Sequence, residues 1–172
     1  HPSIFNWCMG NEVATGMSIA PDLYRSAKEL DPTRPVADTD GIPAGGYADG
    51  TKDRETLDMY FIQFDVLNSV LEDADFYKCP SPKKPVISHE NGNYITFPRL
   101  DQIALFQHNV KPFWMIEAQE KVSKMGLSGE VDLWAENSGR LYTLLHKLDK
   151  ECLRKNPNIS GYHWWLLQDY WT

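Results

Sequence analysis

Apolar positions fall along the chain in short, dense runs, each closed by glycine, proline or a cluster of polar residues. Positions 4–9 (IFNWCM) form the first run and stop at Gly10, the pattern of a buried strand. Helical spacing follows, with Leu23, Ala27 and Leu30 on one face, and predicts a helix over 21–30. Asp31-Pro32 ends it, because a residue before proline avoids the α region. Positions 34–38 (RPVAD) predict a second strand, closed by Gly41 and the Gly45-Gly46 loop. Strand, helix and strand in succession make a βα unit and point to a parallel sheet.

Positions 57–64 (LDMYFIQF) predict a third strand, with a short helix and loop after it over 67–71 and Phe76. The turn-rich Cys79-Pro80-Ser81-Pro82 leads into a fourth strand at 85–88 (PVIS). A long helical stretch covers 100–155. Within it Leu141, Leu144, Leu145, Leu148 and Cys152 form one stripe, which Asn156-Pro157-Asn158 stops. Positions 161–167 predict a fifth strand. Five strands separated by helices fit a doubly wound sheet or part of a (β/α)8 barrel. No G-x-G-x-x-G follows any strand, so a dinucleotide site lacks its fingerprint.

A length of 172 residues is enough to bury a sizeable core. Seventeen basic against twenty-four acidic side chains leave a net charge of −7, and no basic cluster exceeds Lys83-Lys84, so nucleic acid is not an expected partner. No run of about 18 apolar residues occurs, which excludes a membrane-spanning helix. Three cysteines with no C-x-x-C pair disfavour a disulfide framework and a zinc knuckle. The six Trp and eight Tyr supply flat faces that suit sugar rings, although aromatics also fill cores. The chain opens on His1-Pro2-Ser3 and closes on an aromatic run through Trp171. Both ends read as cuts through a larger domain, with any targeting signal beyond them.

The candidate chemistry sits at strand ends. Asn11-Glu12 stands just past the first strand, and Glu90 just past the fourth, in Ser88-His89-Glu90-Asn91-Gly92. Parallel α/β folds carry their active sites at the C-terminal ends of strands, where loops vary over a rigid sheet. Two carboxylates so placed are the machinery of glycoside hydrolysis: one protonates the leaving oxygen, and the other attacks the anomeric carbon or activates water. The alternative is that such acids cap helices or hold loops.

His1-Pro2-Ser3-Ile4-Phe5-Asn6-Trp7-Cys8-Met9-Gly10-Asn11-Glu12 resembles the acid/base strand of glycoside hydrolase family 2, the family of β-galactosidases, β-glucuronidases and β-mannosidases. Lys84-Pro85-Val86-Ile87-Ser88-His89-Glu90-Asn91-Gly92 resembles its nucleophile strand. The segment from Gly161 through Trp165 to Asp169 resembles its last barrel strand. The motifs occur in the family's order and cover nearly the whole chain. The resemblance implies an α/β fold, the C-terminal portion (strands four to eight) of a (β/α)8 TIM barrel. Residues 1–172 would then be a partial catalytic domain lacking barrel strands one to three. It further implies a retaining glycoside hydrolase that cleaves terminal β-glycosidic bonds by double displacement, β-galactosidase-like, without a metal or organic cofactor.

Carried over by resemblance, Glu12 is the general acid/base and Glu90 the nucleophile. Asn11 holds the substrate 2-hydroxyl, and Trp165 forms a platform beneath the sugar while Trp164 points to the helix side of the strand. Where relatives often have W-D-W, this chain has Trp165-Leu166-Leu167. His89, Asn93, Tyr94 and Asp40 are further candidates for substrate contact, with His89 orienting the nucleophile or packing beneath it. Asp38, Gln63 and Asp65 either select hydroxyls or cap helices, the alternative that Asp40 shares. His89-Glu90 does not extend to a zinc motif, because position 93 is Asn. His108, His146 and His163 show no ligand spacing and read as structural. The implied partners are a β-glycoside substrate, the rest of the same barrel and preceding β-sandwich domains. The implied setting is secreted or periplasmic. A non-catalytic carbohydrate-binding remnant and an endo-β-glucanase of the same barrel clan are the alternatives.

Overall fold

The first apolar run yields only a two-residue strand, because its start is spent on a turn. In the computed structural model, which describes residues 1–12, 18–40, 42–43, 55–63, 83–92, 94–107 and 110–165, Ile4 N–H donates to the His1 carbonyl at 3.1 Å. Arg34 then takes the carbonyls of Ile4 (2.6 Å) and His1 (3.2 Å), so neither is offered to a strand partner. Strand β1 is therefore Trp7–Cys8, paired in parallel with β2, Val36–Ala37. Helix α1, Ala20–Leu30, connects them with Pro21 in its first turn. It buries Ala20 and Ala27, but Leu30 is 88% exposed and leaves the face that the spacing assigned to it. The chain already turns at Asp31, whose N–H closes the helix onto the Ala27 carbonyl.

A second parallel sheet holds β3 (Ile42–Pro43), β4 (Tyr60–Gln63), β5 (Val86–Asn91) and β6 (Gly161–Trp164), in that order. Strand β3 was not legible as a separate element, since the glycines around it read as loop. Strand β5 runs three residues beyond the expected Ser88, through His89, Glu90 and Asn91. Strand β4 is shorter than its apolar run, because Leu57 makes an isolated antiparallel bridge to Ala37 and Asp58 turns to other work. Among the described residues every pairing between strands is parallel, and every neighbour in a sheet is next in chain order. A doubly wound sheet reverses direction at a switch point, and no reversal occurs among the described strands. They form two open sheets, not a closed barrel. The helix expected over 67–71 with Phe76, and Asp65, Asn93, His108, Leu166 and Leu167, lie outside the described residues.

The chain divides into two compact units. The first comprises residues 1–93 and 148–167. Its core is Ala37, Leu57, Met59, Tyr60, Phe61, Ile62 and Val86, with Ile87 packed against it. Three successive buried residues on β4 mean that the strand is covered on both faces, as parallel strands usually are. Each such side chain contributes about 2 kcal/mol of burial. Gly161 lets β6 approach β5, since a Cβ there would meet Ile87 Cδ1 at 3.2 Å. Asp58 ties α1 to β2: it accepts from Val36 N–H (2.8 Å), Tyr24 Oη (2.8 Å) and Lys28 Nζ (2.5 Å).

The second unit, 94–147 with 168–172, has helices as its regular elements among the described residues, joined by irregular segments such as 94–99. Helix α2 is Phe113–Lys124, and helix α3, Val131–Lys155, runs from this unit into the first. In the second unit Phe97 stacks edge-on against Trp134 (5.3 Å), and Tyr142 and Tyr94 close on His146 (4.3 and 5.5 Å). The expected leucine stripe is not the buried face of α3. Leu141 and Leu144 are half exposed, whereas Ala135, His146, Asp149 and Leu153 are buried. Periodicity locates an apolar stripe, but hydrogen bonds and ring contacts here turn a mixed polar face inward.

Candidate active site

Parallel pairing carries the Asn11-Glu12 segment onto the end of β2. Asp40 N–H donates to the Gly10 carbonyl (3.1 Å), Glu12 N–H donates to the Asp40 carbonyl (3.1 Å), and Asn11 bridges Asp40. Just before this, Cys8 Sγ donates to the Gly10 carbonyl at 3.0 Å. Burial of the sulfur, then the nearby Asp40 and Asp38 carboxylates, push that thiol up to about 12, so it stays neutral. Asp38 itself accepts from Thr56 Oγ1 at 2.6 Å, which makes it a loop holder in this structure.

The side chain of Asp40 reaches the other glutamate through His89. Asp40 Oδ2 lies 3.9 Å from His89 Nδ1, and His89 Nε2 lies 3.4 Å from Glu90 Oε1. His89 is nearly fully buried, with Phe61 edge-on to its ring at 6.3 Å. Its Nδ1 also meets His163 Nδ1 at 3.1 Å. Partial burial, and the neighbouring His89 ring, hold the His163 imidazole below its ordinary pKa. Asp40 thus stands between the two candidates: its carbonyl holds the Glu12 backbone, and its carboxylate lies beside His89, the neighbour of Glu90.

Glu12 and Glu90 share a backbone feature. Among the described residues they are the non-glycine positions with positive φ, at 50° and 49°. An L side chain in the left-handed region costs roughly 1–2 kcal/mol. Such strain persists where the surroundings over-determine it, and it clusters at functional sites.

At Glu90 the surroundings are visible. Asn91 is fully buried, accepts from Lys150 Nζ through its side chain and from Trp165 N–H (2.9 Å) through its carbonyl. Lys150 lies over Tyr162 (5.0 Å) and Trp164 (5.3 Å) and pairs with the buried Asp149 at 3.2 Å. Burial lowers the Lys150 ammonium below its ordinary pKa, against the opposing pull of Asp149. Trp164 is therefore on the α3 side of β6, and Trp165 follows directly after the strand's last residue.

The structure thus gathers Asn11, Glu12, Asp40, His89, Glu90 and Trp165 in the first unit. Tyr94 belongs to the second unit, where its ring meets Tyr142 and His146. Asn93 lies outside the described residues. Two contributors escaped the sequence reading. Asn91 carries no motif signal beyond its adjacency to Glu90. His163 read as structural, although it stands two residues before Trp165. Among the described residues no group of three His, Cys, Asp or Glu side chains is arranged to hold a metal ion, and no helix is long and apolar enough to cross a membrane.

The family model described as "Glycosyl hydrolases family 2, TIM barrel domain" matches residues 1–97, more than half of the chain. No curated protein sequence matches it.

Proposed function

Because the chain belongs to glycosyl hydrolase family 2, we propose that it carries the two catalytic carboxylates of a retaining β-glycosidase, β-galactosidase-like in its exo action. The observation that carries this reading is the shared left-handed backbone of Glu12 and Glu90 at two parallel strand ends joined through Asp40 and His89. In the proposed cycle ionised Glu90 attacks the anomeric carbon while Glu12 gives its proton to the departing aglycone oxygen. Glu12 then takes a proton from water, which displaces Glu90 and restores the original anomeric configuration. Asn11 accepts from or donates to the 2-hydroxyl, Trp165 floors the subsite, Asp40 and Asn93 complete the sugar contacts, and His89 orients Glu90.

The same proposal takes the parallel, sequential strands as strands four to eight of the barrel, with β2 and β3 as two stretches of strand five. The rest of the barrel and preceding β-sandwich domains would complete the protein. The test is to treat the full-length protein with an activated 2-deoxy-2-fluoro aryl β-glycoside and map the labelled peptide. Stoichiometric labelling at Glu90 is expected, and the β-anomer is the expected first product with ordinary substrates. Labelling of Glu12, or release of the α-anomer, would reverse or sink the assignment. Screening aryl β-galactoside, β-glucuronide and β-mannoside then identifies the sugar.

A further inference from the structure

Outside the two glutamates, the buried His89 pairs with His163, and the cycle above gives His163 no task. The pair has a defined proton count. Two imidazole Nδ1 atoms at 3.1 Å can share a hydrogen bond only if one is protonated and the other is not. Which one carries the proton is set by what stands at the far side of each ring. His89 Nε2 is buried with no hydrogen bond formed to it, and Glu90 Oε1, a carboxylate oxygen that only accepts, lies 3.4 Å away. His89 therefore presents Nε2–H to Glu90, its Nδ1 becomes the acceptor, and His163 Nδ1–H is the donor.

We propose that His163 is a positioning residue for the nucleophile: by donating Nδ1–H to His89 it fixes His89 as the neutral Nε2–H tautomer aimed at Glu90. The inference rests on Glu90 being the nucleophile. Its physical content is that a neutral N–H donor orients the Glu90 carboxylate, whereas an imidazolium would bind it as an ion pair and blunt its attack. While His89 Nδ1 is occupied as an acceptor it cannot take a second proton. The charged groups facing the pair are Asp40, 3.9 Å from His89 Nδ1, and Glu90 itself; both would favour that second proton if His163 did not block it. The Phe61 ring stands 6.3 and 6.5 Å from the two imidazoles. The lowered proton affinity of His163 agrees with a pair that holds one proton between the rings. The 3.4 Å approach of His89 to Glu90 is longer than a formed charge-assisted hydrogen bond, as catalytic contacts often are before substrate binds.

The experiment compares His163→Phe and His163→Asn in the full-length protein, using aryl β-glycoside kinetics against pH and imidazole nitrogen NMR without substrate. Asn places an amide donor near the position of Nδ1, and Phe keeps the ring's bulk without a donor. In the parent, the His89 nitrogens should report the neutral Nε2–H form. In His163→Phe, the His89 nitrogens should no longer report that single tautomer. That variant should lose about tenfold in kcat with KM nearly unchanged, and Asn should restore most of it. An unchanged His89 tautomer in the Phe variant, an Asn variant no better than Phe, or a changed tautomer with unchanged kcat would each overturn the inference and leave the glycosidase reading standing. A parent protein that hydrolyses none of the glycosides would overturn that reading itself, and the inference with it.

Discussion

Asp40 and Glu12 are joined backbone to backbone, the Glu12 N–H donating to the Asp40 carbonyl at 3.1 Å just where the Glu12 backbone turns left-handed. Strand β5 ends in the same kind of turn at Glu90, held by the Asn91 contacts to Lys150 and Trp165. The strain is local and is supported by neighbours on other elements.

The strain predicts a reversal of the usual glycine penalty. At an ordinary strand position glycine is less stable than alanine by about 0.5–1 kcal/mol. At positions 12 and 90 glycine relieves the positive φ, and Glu12→Gly and Glu90→Gly should each exceed the matching Ala variant in stability by about 1 kcal/mol. Paired denaturant melts of the four variants check this. Ala variants as stable as their Gly counterparts would mean that these turns are not strained.

The two glutamates should also separate chemically. Glu12→Ala should slow glycosides with poor leaving groups by about a hundredfold or more, while activated aryl glycosides keep fast glycosylation, because only the former need protonation. Glu90→Ala should abolish turnover of both, with azide yielding the inverted glycosyl azide. Equal losses for both leaving groups in the Glu12 variant, measured by steady-state kinetics, would remove its role as acid.

Adjacent tryptophans at the end of β6 are expected to behave oppositely. Trp164→Ala removes a ring from Lys150 and should cost about 1 kcal/mol of stability with little change in kcat/KM. Trp165→Ala should lower kcat/KM by about a hundredfold or more while the melting temperature moves little. A Trp165 variant that unfolds with its activity per folded molecule intact would make the residue a packing element.

Asp58 governs part of the acid stability. Burial works against its ionised form, but the hydrogen bonds from Lys28, Val36 N–H and Tyr24 outweigh that and leave its pKa lowered. A depressed carboxylate contributes stability that is complete above the unfolded value, about pH 4, and lost as pH falls through the folded one. The Tyr24 phenol behaves in the opposite sense: burial and then Asp58 raise it to about 12, so its share is complete below about pH 10 and lost above. Asp58→Asn should destabilise the protein by about 2 kcal/mol at neutral pH and flatten both limbs of the stability–pH curve. An unchanged acid limb in chemical melts would show that other carboxylates carry it.

What the sequence determined by itself was whatever is written into contiguous residues. Short apolar runs between breakers specified parallel strands around α1, and strand-end motifs singled out Asn11-Glu12 and Glu90, because a strand and its terminal loop are one stretch of chain. Alternation along β6 put Trp164 on the helix side with Tyr162, since that period is a property of the backbone alone. The tertiary structure decided the rest. The buried face of α3 could not be read from its leucines, because burial depends on what lies opposite a stripe as well as on its composition. The separate strand β3 and the shortened β1 follow from who takes each backbone hydrogen bond, Arg34 in the case of His1 and Ile4. His163 became a neighbour of His89 only when β6 paired beside β5, and Asp40 came to touch both glutamates' surroundings only through the register of two separate pairings. Contacts between elements distant in the chain depend on register and packing, and no local period encodes either.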